Sequence, residues 1–294
     1  MEKSKVYFIR EITPGNIIKA YEALGKNLEG NVAVKMHSGE QGNQNYLRPE
    51  FVQDVIHHVN GTVVECNTAY EGARNSTEKH KKLIEEHEWN KYFPFDLLDA
   101  EGPDMELEIP NGKVLKKNYV GKNLANYNAL LVLSHFKGHA MGGYGGALKQ
   151  LSIGCASSHG KTLIHTAGVT DDQKVLFQNL PEQDRFLEAM ADAAKSVVDY
   201  FKGNAIYINV MKNISVDCDC DAHAPAPCMQ DIGILASLDP VAVDQACLDL
   251  VYQSNDPGKD KLIERIESRH GVHTIESAYD LGVGNREYEL VQID

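Results

Sequence analysis

Residues 129–149 read ALLVLSHFKGHAMGGYGGALK, and the fold turns on how that stretch is taken. Ala129 to Ser134 is apolar on both faces of an extended chain. That is the pattern of a central strand covered on both sides, as found in parallel sheets flanked by helices. The glycines that follow, Gly142, Gly143, Gly145 and Gly146, remove side chains where backbone turns tightly or nears a ligand. Three reactive side chains ride on this segment: His139, Lys149 and, further along, His165. Histidine and lysine are readily tuned for proton transfer, metal binding or covalent attachment. Taken alone, the segment reads as easily as a glycine-rich loop with solvated basic groups.

Working outward toward the start of the chain, strand and helix signals alternate. Val6–Arg10, Val32–Met36 and Thr62–Cys66 read as strands. Between them, Asn16–Leu28 and Phe51–Val59 place apolar residues at helical spacing, the second after Pro49, a good first-turn residue. Asn75 followed by Glu78 resembles a capped helix start. This order predicts a doubly wound α/β fold with mainly parallel sheets. A β-hairpin is expected in the middle, where Met105–Ile109 and Val114–Val120 alternate in polarity about Asn111 and Gly112.

Toward the other end, Asp171–Asn179 reads as loop and Pro181–Phe201 as a long helix. Ala205–Met211 and Asp231–Ser237 read as strands. Asp239 and Pro240 give a cap and first-turn pair for the next helix. Weaker helix signals cover Asp260–Arg269 and Ile275–Tyr279, and Tyr288–Ile293 closes a sheet. The expected arrangement is two lobes: residues 1–165 with the glycine-rich segment, and 166–294 with a cysteine-rich loop. One continuous domain is the alternative. Clefts at the carboxyl ends of parallel strands are where such folds bind ligands.

Composition narrows the function. With 29 Lys and Arg against 42 Asp and Glu the net charge is −13, which disfavours nucleic acid and anionic membrane as partners. No apolar run is long enough to span a membrane, and the N-terminus lacks the core of an export signal. A cytoplasmic location and reduced cysteines are therefore expected. A small organic-acid substrate, a redox partner or a second copy of the chain remain as candidate partners.

Two further clusters carry chemistry. Cys218, Cys220 and Cys228 with His223 have the identities of a soft-metal site holding zinc, iron or nickel, although their spacing is not that of a standard zinc ribbon. The neighbouring Asp217, Asp219 and Asp221 would raise the thiol pKa values. After the third strand, Arg74 is placed to clamp a carboxylate and Tyr70 to relay a proton; Lys35 ends the second strand as another cation. No Walker loop, dinucleotide fingerprint or nucleophile elbow is present.

Three stretches together, ECNTAYEGARNSTEKH (65–80), SHFKGHAMGGYGGALKQLSIGCASSHGK (134–161) and DCDCDAHAPAPCMQDIGILASLDPVAVDQACLDLV (217–251), resemble the domain of unknown function 362 family, whose members are often described as iron–sulfur centre proteins. Many members carry a ferredoxin-like insertion after the segment matching His165, and this chain does not. The iron–sulfur implication thus falls on Cys218, Cys220 and Cys228. Over about thirty residues, His139, Lys149 and His165 also resemble, in spacing, the core of the nickel-dependent lactate racemases. That resemblance implies a nickel-pincer nucleotide attached to Lys149, nickel bound by His165, and His139 as acid/base, with the glycine amides near the cofactor's phosphate. Tyr70 stands near where the racemases have a second catalytic histidine. The leucine in Gly145-Gly-Ala-Leu-Lys149 departs from that family's tighter Gly-Gly-x-Lys. Two functions follow as expectations. One is a metal-dependent isomerase or oxidoreductase acting on a small hydroxy or organic acid. The other is a non-catalytic metal-binding or iron–sulfur redox protein built on the cysteine loop.

Overall fold

A computed structural model describes residues 3–294. Met1 and Glu2, with which the export-signal expectation begins, lie outside them. In chain order the first elements are β1 (Ser4–Ile9), α1 (Pro14–Ala23), β2 (Val32–Lys35), α2 (Pro49–His58), β3 (Gly61–Glu65), α3 (Thr77–Glu86) and β4 (Phe95–Leu97). Then come β5 (Met105–Glu108), β6 (Lys117–Val120), β7 (Ala129–His135), β8 (Lys137–His139), β9 (Gly143–Gly145), α4 (Ala147–Lys149) and α5 (Ser158–His165). The chain continues through α6 (Gln183–Phe201), β10 (Ala205–Met211), β11 (Gly233–Ser237), α7 (Pro240–Gln253), α8 (Lys259–Ser268), α9 (Val272–Asp280) and β12 (Tyr288–Gln292).

Eight of these strands form a single sheet in the order β12-β1-β11-β10-β7-β2-β3-β4. Only β11 runs antiparallel to its neighbours, β1 and β10; every other adjacent pair is parallel. β7 lies centrally and is buried along its whole length, as its two-sided apolar pattern requires. Leu130 and Val132 face a core shared with Leu148, Val197 and Val243, while Leu131 and Leu133 face a core shared with Ile17, Val52 and Ile56. Burying each such side chain stabilises by roughly 1.5–3 kcal/mol. Helices therefore cover both faces, and the α/β, mainly parallel, doubly wound reading holds.

The two lobes expected from the sequence do not have separate sheets. β10 pairs with β7 across residue 165, and β1 lies between β11 and β12. Hydrophobic periodicity reports that a strand is buried, not which distant strand buries it.

Caps and turns follow local chemistry, with shifts. Thr13 accepts from the Asn16 amide at α1, and Asp239 accepts from the amides of Val241 and Ala242 at α7. For α3 the cap is Ser76, which accepts from the Lys79 amide; Asn75 instead pairs with Glu71 and the Lys79 ammonium. The hairpin forms between β5 and β6, but residues 109–116 make a long connection. Asn111 takes the left-handed conformation there (φ 64°). The backbone of Val114 is diverted from the ladder because buried Asp192 accepts from the amides of Lys113, Val114 and Leu115 at 2.6–2.8 Å. The segment expected as loop at 171–179 contains a 3₁₀ turn, Gln173–Gln178. Among the described residues no helix is long and apolar enough to cross a membrane.

Candidate active site

A cavity of about 560 Å³ opens at the carboxyl ends of β2, β3 and β7. The chain moves outward from β2 to β3 and β4, then returns to place β7 on the other side of β2. Crevices form where strand order reverses in this way, because successive crossovers diverge. Lys35 closes β2 and Glu65 closes β3. The short β8–β9 hairpin folds His139 back against the opening.

The cavity gathers most of the residues singled out in the sequence: Lys35, Tyr70, Arg74, His139, Lys149, His165 and Cys220 all line it. Cys218 joins them through its sulfur, 3.3 Å from the Lys149 ammonium. Two residues expected with them do not arrive. The Cys228 thiol donates to the Ile214 carbonyl, and His223 is exposed on the loop. Gly142, Gly143, Gly145 and Gly146 stand behind the cavity wall and do not line it. Gly143 adopts φ 79° and packs close to Gly271, where a Cβ would come within 2.9 Å of Gly271 Cα. A Cβ on Gly146 would meet Asp244 Oδ1 at 2.4 Å.

The proposed clamps have partners that sequence reading missed. Lys35 Nζ donates to Glu65 at 3.1 Å and to the Met36 carbonyl at 2.6 Å. Arg74 Nε donates to Glu40 at 3.1 Å, with Nη1 3.9 Å from Glu65. Glu65 also accepts from the Ser38 amide and hydroxyl. Burial alone would raise the Glu65 pKa, but Lys35, Arg74, His80 and the Ser38 amide outweigh it and hold it at about 2. Because the folded pKa lies below the ordinary 4.5, this network stabilises above that pH and loses its contribution as pH falls toward 2. The loss is roughly 3 kcal/mol. Urea titrations between pH 5 and about 2 check this: wild type should lose that stability, and Glu65→Gln should show a flatter profile. Parallel profiles would contradict it.

The two histidines are held in opposite tautomers. Amides can only donate, and His139 Nδ1 receives those of Gly142 at 2.8 Å and Met141 at 3.2 Å. Its hydrogen therefore sits on Nε2. Carbonyls can only accept, and His165 Nδ1 meets the Lys161 carbonyl at 2.6 Å, which leaves its Nε2 with a lone pair. Burial, then Lys149, His165 and Lys137, hold the His139 pKa well below its usual value. Burial lowers His165 to about 4 despite its carbonyl bond. Both rings are neutral near pH 7. His165 also stacks on Phe186, ring centres 5.1 Å apart.

The cysteine loop is pinned by Asp219, a role beyond the effect on the thiols expected of it. It accepts from Lys137 at 2.6 Å and His135 at 2.8 Å, and its carbonyl accepts from the Glu40 amide. Asp219 does push the Cys218 thiol up as expected, but the Cys220 hydrogen bond, Lys149 and Lys137 outweigh it. Asp219 is neutralised by Lys137 and His135, Asp217 pairs with Arg265, and Asp221 is exposed. The hydrogen bond from Cys220, then Lys149 and Lys137, hold the Cys218 pKa well below its usual value, and Cys220 is correspondingly pushed up. Tyr70 is pushed well above its usual value by Cys220 and by burial, so it keeps its proton. A His139 ring nitrogen and the sulfurs of Cys218 and Cys220 all lie within 4.8 Å of one another, a candidate site for a soft metal.

Comparison with known proteins adds a family. A family model described as Domain of unknown function (DUF362) matches residues 32–249. No curated protein sequence matches the chain. Among solved structures, the lactate racemase apoprotein from Thermoanaerobacterium thermosaccharolyticum is similar at TM-score 0.45 and 12% identity, over 83% of this chain and 56% of that one. A structural-genomics protein from Thermotoga maritima is similar at TM-score 0.41 and 10% identity, over 91% of this chain and 58% of that one. The chain thus spans somewhat more than half the length of either structure.

Proposed function

We propose, from the premise that this chain belongs to the family described as Domain of unknown function (DUF362), that it is a metal-dependent enzyme acting on a small organic acid. The reaction is a transfer of a proton or hydride at the carbon beside the carboxylate. The observation that carries this reading is the opposed tautomers on one cavity wall: His165 offers a lone pair from Nε2, and His139 offers a hydrogen from Nε2. A neutral imidazole held this way by backbone amides polarises an oxygen on which charge develops. An imidazole whose other nitrogen is bonded to a carbonyl is set to bind metal.

The donor set fits the cofactor that the sequence resemblance implies. His165 Nε2 would hold the metal, Lys149 stands half-buried at the cavity wall as the attachment point, and the Cys218 and Cys220 sulfurs would add soft donors. Such a group, when bound, supplies a hydride acceptor. The chain's own residues do the rest. His139 hydrogen-bonds the substrate oxygen, Tyr70 adds a second proton-bearing donor, and Met141, Ile153, Leu176 and Phe177 exclude water from the opening.

Protein purified from its native host tests this reading by elemental analysis, intact mass and a panel of chiral 2-hydroxy acids incubated in deuterium oxide. The expected result is bound metal, added mass at Lys149, and inversion or exchange at C2 of at least one acid. His165→Ala should lose the metal, and His139→Ala should slow turnover by about a hundredfold or more. Metal-free protein of unmodified mass, inert toward the whole panel, would sink the proposal. The proximity of His139, Cys218 and Cys220 favours one second reading, a non-catalytic metal centre in the cysteine loop. It expects Cys220→Ser to release the metal, and His165→Ala to keep it.

A further inference from the structure

Lys35 and Arg74 are committed to Glu65 and Glu40, Lys137 to Asp219, and Lys149 donates to the Cys218 sulfur. One cation of the cavity has no such partner. Lys161, on α5, is 6% exposed and lines the cavity. Its ammonium donates to the Ala156 carbonyl at 2.6 Å, and among the described residues no carboxylate lies within ion-pair distance of it. An ammonium in a dry site is costly without a counter-charge.

A second side chain of the same cavity is left open. Gln150 is 7% exposed and lines the cavity, yet its side-chain amide has no hydrogen-bond partner among the described residues. The amide is not sealed away from solvent, so it is open toward the cavity and free to meet a ligand. The space beside it is kept clear by Gly154, also on the cavity wall. A Cβ there would lie 2.7 Å from Gln150 Oε1 and 2.8 Å from Lys35 Cε. Gln150 and Gly154 bound a π-helical turn, Gln150–Gly154, which widens the backbone where α4 ends. Such turns concentrate at functional sites.

We propose that Lys161 and Gln150 form the carboxylate-binding subsite of the cavity, the ammonium taking one oxygen and the amide N–H the other. This rests on the organic-acid reading above and moves the clamp away from Lys35 and Arg74. The ligand class it selects is a monocarboxylate small enough to bring its second carbon toward His139, with any apolar portion directed at Leu176 and Phe177 near the mouth.

Calorimetric titration of the purified protein with 2-hydroxypropanoate and with its uncharged amide tests the subsite without needing turnover. Wild type should prefer the carboxylate. Lys161→Gln should weaken carboxylate binding by at least about tenfold while leaving the amide unchanged, the loss of one charge-assisted hydrogen bond. Lys161→Arg should retain most of the affinity, and Gln150→Leu should lose about threefold to tenfold. Wild-type carboxylate affinity in Lys161→Gln, or in Gln150→Leu should the first variant fail to fold, overturns the subsite and leaves the organic-acid reading standing. Equal affinity of wild type for the two probes also overturns it. If wild type binds neither 2-hydroxypropanoate nor its longer homologues, the organic-acid reading falls together with the subsite.

Discussion

Replacing Asp244 with alanine is expected to cost about 3–5 kcal/mol of stability, read as a drop in the urea midpoint at unchanged slope. Asp244 is fully buried on α7. It accepts from the amides of Ala147 and Leu148 at 2.7 and 2.9 Å, from Asn209 Nδ2 at 2.7 Å and from the Tyr144 hydroxyl at 3.2 Å. Burial raises its pKa to about 6 against the pull of those bonds. Truncation strands four donors in a dry core, and each unsatisfied donor costs roughly 1–3 kcal/mol, reduced where water enters the space left. The amides of Ala147 and Leu148 open the short helix that ends in Lys149, so the variant should also lose ligand binding in the cavity. Gly146→Ala reaches the same group from the other side, because its Cβ would press on the carboxylate. A loss below about 1 kcal/mol in Asp244→Ala would show that other contacts fix this turn.

Lys149→Ala is expected to lower turnover by at least about a thousandfold while changing stability by only about 1 kcal/mol. The asymmetry follows from its partner. Removing a cation from such a pair can strand a charge, but Lys149 is only half-buried and the Cys218 sulfur, whose pKa the lysine lowers, takes up a proton more readily without it. The thiolate's ultraviolet absorbance near neutral pH should therefore fall in the variant. Lys149→Arg separates charge from attachment: the absorbance should return while turnover stays lost. Full turnover in either variant rejects Lys149 as an attachment point. A large stability loss in Lys149→Ala would mark the lysine as a structural cation.

Strands were legible wherever a run of apolar residues reports burial on its own, as at Val32–Lys35 and Ala129–His135. The spacing of His139, Lys149 and His165 was legible for a related reason: all three belong to one continuous run of chain from β8 to the end of α5. Partners brought from far away were not. Glu65 meets Lys35 from the adjacent strand, Asp244 meets Ala147 from α7, and Asp219 meets Lys137 from the cysteine loop. In sequence each is an ordinary acidic residue, and only the sheet order supplies its counterpart. The hairpin connection differed because Asp192, on a helix far along the chain, captured amides that local alternation assigned to a strand. Lys161 and Gln150 stand out only once every other cation and amide in the cavity is seen to be engaged.

The seating of β1 has a consequence for how the molecule is made. Val6 pairs with Ser237 on one side and Leu290 on the other. β1 therefore leaves the ribosome well before both strands that flank it and is seated late. At about 5–20 residues per second, Val6 and Phe8 wait roughly 15–60 s for their neighbours. During that interval β7, β2, β3 and β4 can assemble, but β10 keeps an open edge until β11 emerges. The nascent chain thus carries an apolar strand and a bare sheet edge together, a pairing that favours association between chains. Synthesis of this protein should depend on holding factors that bind extended apolar segments such as β1.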